Sequence, residues 1–281
     1  MPLKFRLKSR KTRTLLVFVL AGLVIFATCH GCSKQEGSVE PGQRSLKSSN
    51  SSEVEIQNDR VLYKGEFIGV LPDSITKKVQ KILESASIYP KLPDGILVPE
   101  ITQLQDGRIW LSGGIGKNNA YSCQTWFFDP TTKKLSKGPD LAGESIKHQT
   151  LVLSDGRVLV SGGSTARPQE IGLVQILDPK KNVVSTVGNL VYPRYEHSMV
   201  ELTPEVVAII GGGTRNGDQD EVELFDLKTK KSRMVGHLSA PRKQHQSLKL
   251  SSNRILVLQG RGFDYAKKEL QPEVFVIPES K

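Results

Sequence analysis

"LVLSDGRVLVSGG", Leu151 to Gly163, joins two apolar runs through an Asp-Gly turn and ends on two glycines. A glycine pair gives up side-chain packing and costs backbone entropy on folding. A chain keeps one where the backbone bends sharply, takes φ > 0 or passes close to another backbone. The same signature returns along the chain. Glycine pairs stand at Gly113-Gly114, Gly162-Gly163 and Gly211-Gly212, 49 residues apart each time, and a degraded copy, "LQGRG", places Gly260 48 residues further on. Other columns keep the same beat. Asp106-Gly107 and Asp155-Gly156 are in register with Ser252-Asn253, and Asp129, Asp178 and Asp226 recur behind an apolar residue. Leu141, Leu190 and Leu238 follow those aspartates by 12 residues, and His148, His197 and His245 form a fifth column. Five columns in phase define a tandem array.

One unit predicts four short strands. "HQTLVL" turns at Asp-Gly into "RVLVSGG"; a polar loop leads to "GLVQIL", and Asp-Pro with a Lys-rich turn leads to "VVSTVGNL". The second run of each unit (Ile109 to Leu111, Val158 to Val160, Val206 to Ile210) is nearly all apolar, as in strands buried on both faces. Four antiparallel strands per 40–50 residues is the blade of a β-propeller, and the expected class is all-β.

A different composition precedes the array. The chain has 281 residues and a formal charge of +10. Six of those charges, Lys4, Arg6, Lys8, Arg10, Lys11 and Arg13, lie in residues 1–31, which contain no acid. The other 250 residues carry 33 basic and 29 acidic side chains, a net +4, so nucleic acid is not an expected partner. After the basic stretch come thirteen apolar residues, Leu15 to Ala27, the proportions of a secretory signal and short of the ~20 that a spanning helix needs. Gly31-Cys32 resembles the end of a bacterial lipobox, although Cys29 and His30 replace its usual aliphatic and small residues. Cys32 is the first choice for acylation, Cys29 the second, and an uncleaved anchor the third. All three carry the rest of the chain out of the cytoplasm, to the periplasmic or cell-surface side of a membrane. Residues 32–53 read as a flexible tether. Residues 54–85 read as a hairpin turning at Lys64-Gly65 and an amphipathic helix with Ile75, Val79 and Ile82 on one side.

The hydrophobic run, Gly-Gly, loop, residue before Asp, and new unit opening Arg-x-x-His resemble the kelch repeat. "PRYEHS" (Pro193–Ser198) and "PRKQHQ" (Pro241–Gln246) carry that opening, with Ser145 in the Arg position of the unit before. The likeness extends to galactose-oxidase-type propellers and covers residues 86–281. The Trp usual six residues after the Asp is replaced by Leu135, Val184 and Ser232. It implies a kelch-type propeller with about four recognisable blades. The last unit lacks a fourth strand, and residues 86–92 are expected to pair with Val274–Ile277 and close the ring. A degenerate ring filled by residues 54–86 or by a partner is the other outcome.

Antiparallel alternation puts the Asp-Gly turns and the Asp-Pro-x-x-Lys turns on one face. The variable loops and the crossings with Arg194, His197, Arg242 and His245 lie on the other. Those four are the candidate ligand-binding residues, since guanidinium and imidazole groups suit an anionic group. The three histidines read first as structural, and no metal, cofactor or catalytic residue is assigned. No Gly-x-Ser-x-Gly, His-Glu-x-x-His or phosphate loop occurs. The expected function is a lipid-anchored module binding a protein or glycan in the cell envelope. The alternative is a small-sugar enzyme, like the sialic-acid mutarotase that the kelch resemblance brings with it.

Overall fold

The computed structural model describes residues 18–20, 23–25, 53–57, 60–71, 77, 78, 80, 81, 92–165, 169–262 and 270–278. Within the N-terminal apolar run, β1 (Phe18–Leu20) and β2 (Leu23–Ile25) pair antiparallel. Cys29 and Cys32 lie outside the described residues, as does most of the expected helix, of which Lys77, Lys78, Gln80 and Lys81 are helical. No helix among the described residues is long and apolar enough to cross a membrane.

The repeat folds as the periodicity predicts. The first sheet is β6 (Glu100–Gln103), β7 (Ile109–Ser112), β8 (Thr125–Asp129) and β9 (Lys134–Lys137), in that order. The second is β10 (Gln149–Val152), β11 (Val158–Ser161), β12 (Leu173–Asp178) and β13 (Val183–Asn189). The third is β14 (Ser198–Thr203), β15 (Val206–Thr214), β16 (Gly217–Asp226) and β17 (Lys231–His237). The fourth has three strands, β18 (Gln246–Ser251), β19 (Arg254–Leu258) and β20 (Glu273–Val276). All pairings are antiparallel. First strands of successive sheets are neighbours, β6 beside β10, β10 beside β14 and β14 beside β18. The arrangement is compatible with a β-propeller.

Apolar layers lie between the sheets, and the second strand of each sheet feeds two of them. In β7, Ile109 and Leu111 face one layer while Trp110 joins Val158 and Val160 of β11 in the next. Leu159 then faces Val207 and Ile209 of β15, whose Ala208 and Ile210 meet Ile255 and Val257 of β19. Period-2 alternation in a strand covered on both sides explains why these runs contain almost no polar residue.

The Asp columns fix the turns. Asp178 Oδ1 accepts the N–H groups of Lys180 and Lys181 at 3.1 and 3.0 Å, and Asp226 Oδ1 those of Lys228 and Thr229 at 2.9 and 2.7 Å. Local side-chain bonds of this kind make Asp a turn residue.

Residues 54–70 form more than the expected hairpin. The Lys64-Gly65 hairpin forms, and an extra strand joins it: β3 (Val54–Gln57), β4 (Arg60–Tyr63) and β5 (Glu66–Val70) make a three-stranded sheet. This sheet packs on the fourth repeat sheet. Val61 is buried with Leu256 and Leu258, and Val54, Ile56, Ile68 and Leu71 surround them. Residues 86–91 lie outside the described residues. Leu92, the one described residue of the expected closing segment, packs with Ile96, Ile109, Leu111 and Phe128 against the first sheet.

Candidate functional site

The glycine pairs make room for the next repeat. A Cβ on Gly162 would stand 2.3 Å from the Arg194 carbonyl oxygen and 2.8 Å from His197 Cε1. Gly113 and Gly211 face Ser145 and His148, and Arg242 and His245, in the same way. The second glycine binds the crossing: the N–H groups of Gly114, Gly163 and Gly212 donate to the carbonyls of Ser145, Arg194 and Arg242 at 3.1, 2.8 and 2.8 Å. In the degraded copy Gln259 takes the first glycine's left-handed conformation at φ 58°.

All four candidate ligand-binding residues are interior. Arg194 is 0 % exposed, with Nη2 2.5 Å from Glu223 Oε1. Its Nη1 donates to the carbonyls of Gly211 and Glu221 at 2.7 and 2.9 Å, and its Nε to that of Tyr192 at 3.1 Å. Glu223 also accepts the N–H groups of Val191 and Tyr192 and the hydroxyl of Ser232. That full shell makes a buried ion pair tolerable. Arg242 repeats the design with Glu273 at 2.5 Å, and Glu273 accepts the Ser239 N–H. In the second sheet Ser145 replaces the arginine, and Gln175 replaces the glutamate while still accepting the Ala142 N–H at 2.7 Å. Where the buried cation is absent, the buried anion is absent too.

The histidines tie sheet to sheet. Nε2 of His148, His197 and His245 lies 2.8 Å from the hydroxyls of Ser112, Ser161 and Ser198, each in the preceding sheet. Burial pushes His148 down to about 4. Burial, with Arg242 adding to it, pushes His245 down to about 3. His197 is held well below its ordinary value by burial first and then by Arg194. All three rings are neutral at pH 7, and Nδ1 of each is also shut off from solvent.

The side chains between Arg and His in the Arg-x-x-His opening are displayed differently. Leu97, Ile146, Tyr195 and Lys243 occupy one column, each bridging the residue after a glycine pair: Ile115, Ser164, Gly213 and Arg261. The next column, Val98, Lys147, Glu196 and Gln244, is left-handed throughout, with φ of 52–58°. Its backbones link sideways, Glu196 N–H to the Lys147 carbonyl at 3.1 Å and Gln244 N–H to the Glu196 carbonyl at 2.9 Å. Leu97 is 48 % exposed. Lys147 lies over the Tyr195 ring, 5.0 Å from its centre, and pairs with the buried Glu196 at 3.0 Å. Glu100, at the start of β6, is pushed up to about 8 by burial and then by Glu196. The surface of the crossings therefore runs from apolar at Leu97, Val98 and Ile146 to aromatic and charged at Tyr195, Lys147 and Lys243. The sequence reading missed the Leu97, Ile146, Tyr195 and Lys243 column because its residue types change from repeat to repeat.

No protein-family model matches this chain, and no curated protein matches its sequence.

Proposed function

We propose that the chain is an exported, lipid-anchored kelch-type β-propeller whose loop face binds a protein or glycan in a bacterial envelope. The propeller reading is supported by the in-phase repeat and by first strands that neighbour one another from sheet to sheet. One observation carries the binding reading. His recurs in three of the four crossings and Arg in two, all of them buried, while the adjacent Leu97, Ile146, Tyr195 and Lys243 column differs in every repeat. Recurring residues hold the scaffold, and the varied residues give the loop face its chemistry. The basic n-region, the apolar run and Gly31-Cys32 support export and anchoring.

The test places a photo-crosslinking residue at Leu97 on the crossings, or at Lys180 on the opposite turn face, in cells making the full chain. Crosslinks to one defined protein or glycan from position 97 and none from 180 are expected, and Leu97→Glu should weaken binding of that ligand without lowering Tm. Crosslinks from position 180 alone, or conversion of an acidic sugar by the purified chain, would overturn the reading. For the anchor, Cys32→Ala should abolish fatty-acid labelling. Labelling that persists until Cys29 is also replaced moves the site to Cys29.

A further inference from the structure

The outer strands of the third sheet bring three ligand-type side chains to one place. Asp220 and Glu221 are consecutive in β16, and His237 ends β17 directly across the ladder from Glu221. One ligand atom from each lies within 4.8 Å of the other two. His237 Nδ1 stands 2.8 Å from Asp220 Oδ1.

The fold does not require these residue types. The equivalent positions are Gly172, Leu173 and Asn189 in the second sheet and Cys123, Gln124 and Asp140 in the first. The bond that recurs there is a backbone one, from the N–H groups of Leu141, Leu190 and Leu238 to the carbonyls of Cys123, Gly172 and Asp220. A second observation comes from Glu221 itself. Its Oε2 is shut off from solvent and accepts no hydrogen bond from the described residues. A carboxylate oxygen in that state carries an unrecovered desolvation cost, and an ion is one of the few things that relieves it. Asp220 and His237 remain partly open to solvent, so an ion has a route to the third ligand.

We propose that Asp220, Glu221 and His237 bind a divalent first-row metal ion, with water completing its shell. One imidazole and two carboxylates form a borderline-to-hard donor set suited to such ions. The site joins β16 to β17 at the loop-face end of the third sheet, where Arg194 bonds the Glu221 carbonyl. It is independent of the proposed ligand surface at Leu97 and Tyr195.

The test uses the full chain in detergent and Mn²⁺ as the probe, followed by loss of the free-ion EPR signal. A hard ion discriminates against the thiols of Cys29 and Cys32. One Mn²⁺ per chain is expected, and Asp220→Asn, Glu221→Gln and His237→Gln should each weaken binding by about tenfold or more. His237→Asn serves as a second imidazole deletion, with thermal melts in chelator confirming that each variant is folded. No binding at millimolar Mn²⁺, or binding kept by the Asp220→Asn/His237→Gln double variant, would overturn the proposal.

Discussion

Arg194 and Glu223 satisfy each other so fully that removing either leaves a bare charge inside the protein. Arg194→Ala should cost about 3–5 kcal/mol, the range for breaking a buried pair. Arg242→Ala should cost less, about 1–3 kcal/mol, because Glu273 is 19 % exposed and can be hydrated. The second sheet supplies a control in Ser145 and Gln175. Arg194→Ser/Glu223→Gln, which copies that pair, should be more stable than Arg194→Ser alone by about 1–2 kcal/mol in denaturant titrations. Additive losses would mean that the two groups are not coupled. Glycines separate conformation from crowding. Gly107, at φ 87°, has open space where a Cβ would go, whereas Gly162, at φ 65°, has a carbonyl oxygen 2.3 Å away. Gly107→Ala should cost about 1–2 kcal/mol, and Gly162→Ala considerably more; equal losses would refute the close approach. Titration gives a third set of outcomes. The histidines have folded values below their ordinary 6.5, so their stabilisation is present above that pH and is lost as pH falls towards about 4 for His148 and 3 for His245. Tm should therefore drop between pH 7 and 4. Glu100 has the opposite sign. Its folded value of about 8 lies above the ordinary 4.5, so its stabilisation is present below 4.5 and lost as pH rises through 8. Glu100→Gln should raise Tm at pH 8 and leave it nearly unchanged at pH 4. No gain at pH 8 would show that the carboxyl ionises freely.

Strands were legible where a backbone demand or a covered face restricts residue choice. The second strands are apolar because both faces touch neighbouring sheets, and the Asp columns recur because each turn uses the carboxylate to bind its N–H groups. Glu223 and Glu273 escaped the reading because a Glu in a third strand looks like an ordinary outward polar residue. The signal was present in the match of Gln175 with Ser145 against Glu with Arg in the next two repeats. Leu97 and Tyr195 escaped for the opposite reason, since nothing repeats at their column. The missing fourth strand of the last unit was legible, and β20 pairs only with β19 among the described residues. What seats beside it was not, because pairing partners from outside the repeat leave no periodic trace. Hydrogen exchange should show the difference: amides of β20 that point away from β19 should exchange faster than those of β12, which lies between β11 and β13. Equal protection would mean that β20 has a partner strand in solution.

Across the whole molecule, each sheet buries one face only by stacking on the next, as in other repeat architectures. The stack runs from the first to the fourth repeat sheet, and β3–β5 continues it beyond the repeat by covering Leu256 and Leu258. Val61 at the centre of that layer is fully buried, so the sheet formed by β3–β5 belongs to the folded body. The most direct measurement compares the full chain with a variant lacking residues 53–71, using hydrogen exchange of β19 together with thermal melting. If the sheets form one continuous stack, the deletion should lower Tm, speed exchange throughout β19 and promote aggregation through the uncovered Leu256–Leu258 face. Unchanged Tm and unchanged β19 protection in a soluble variant would contradict that stack.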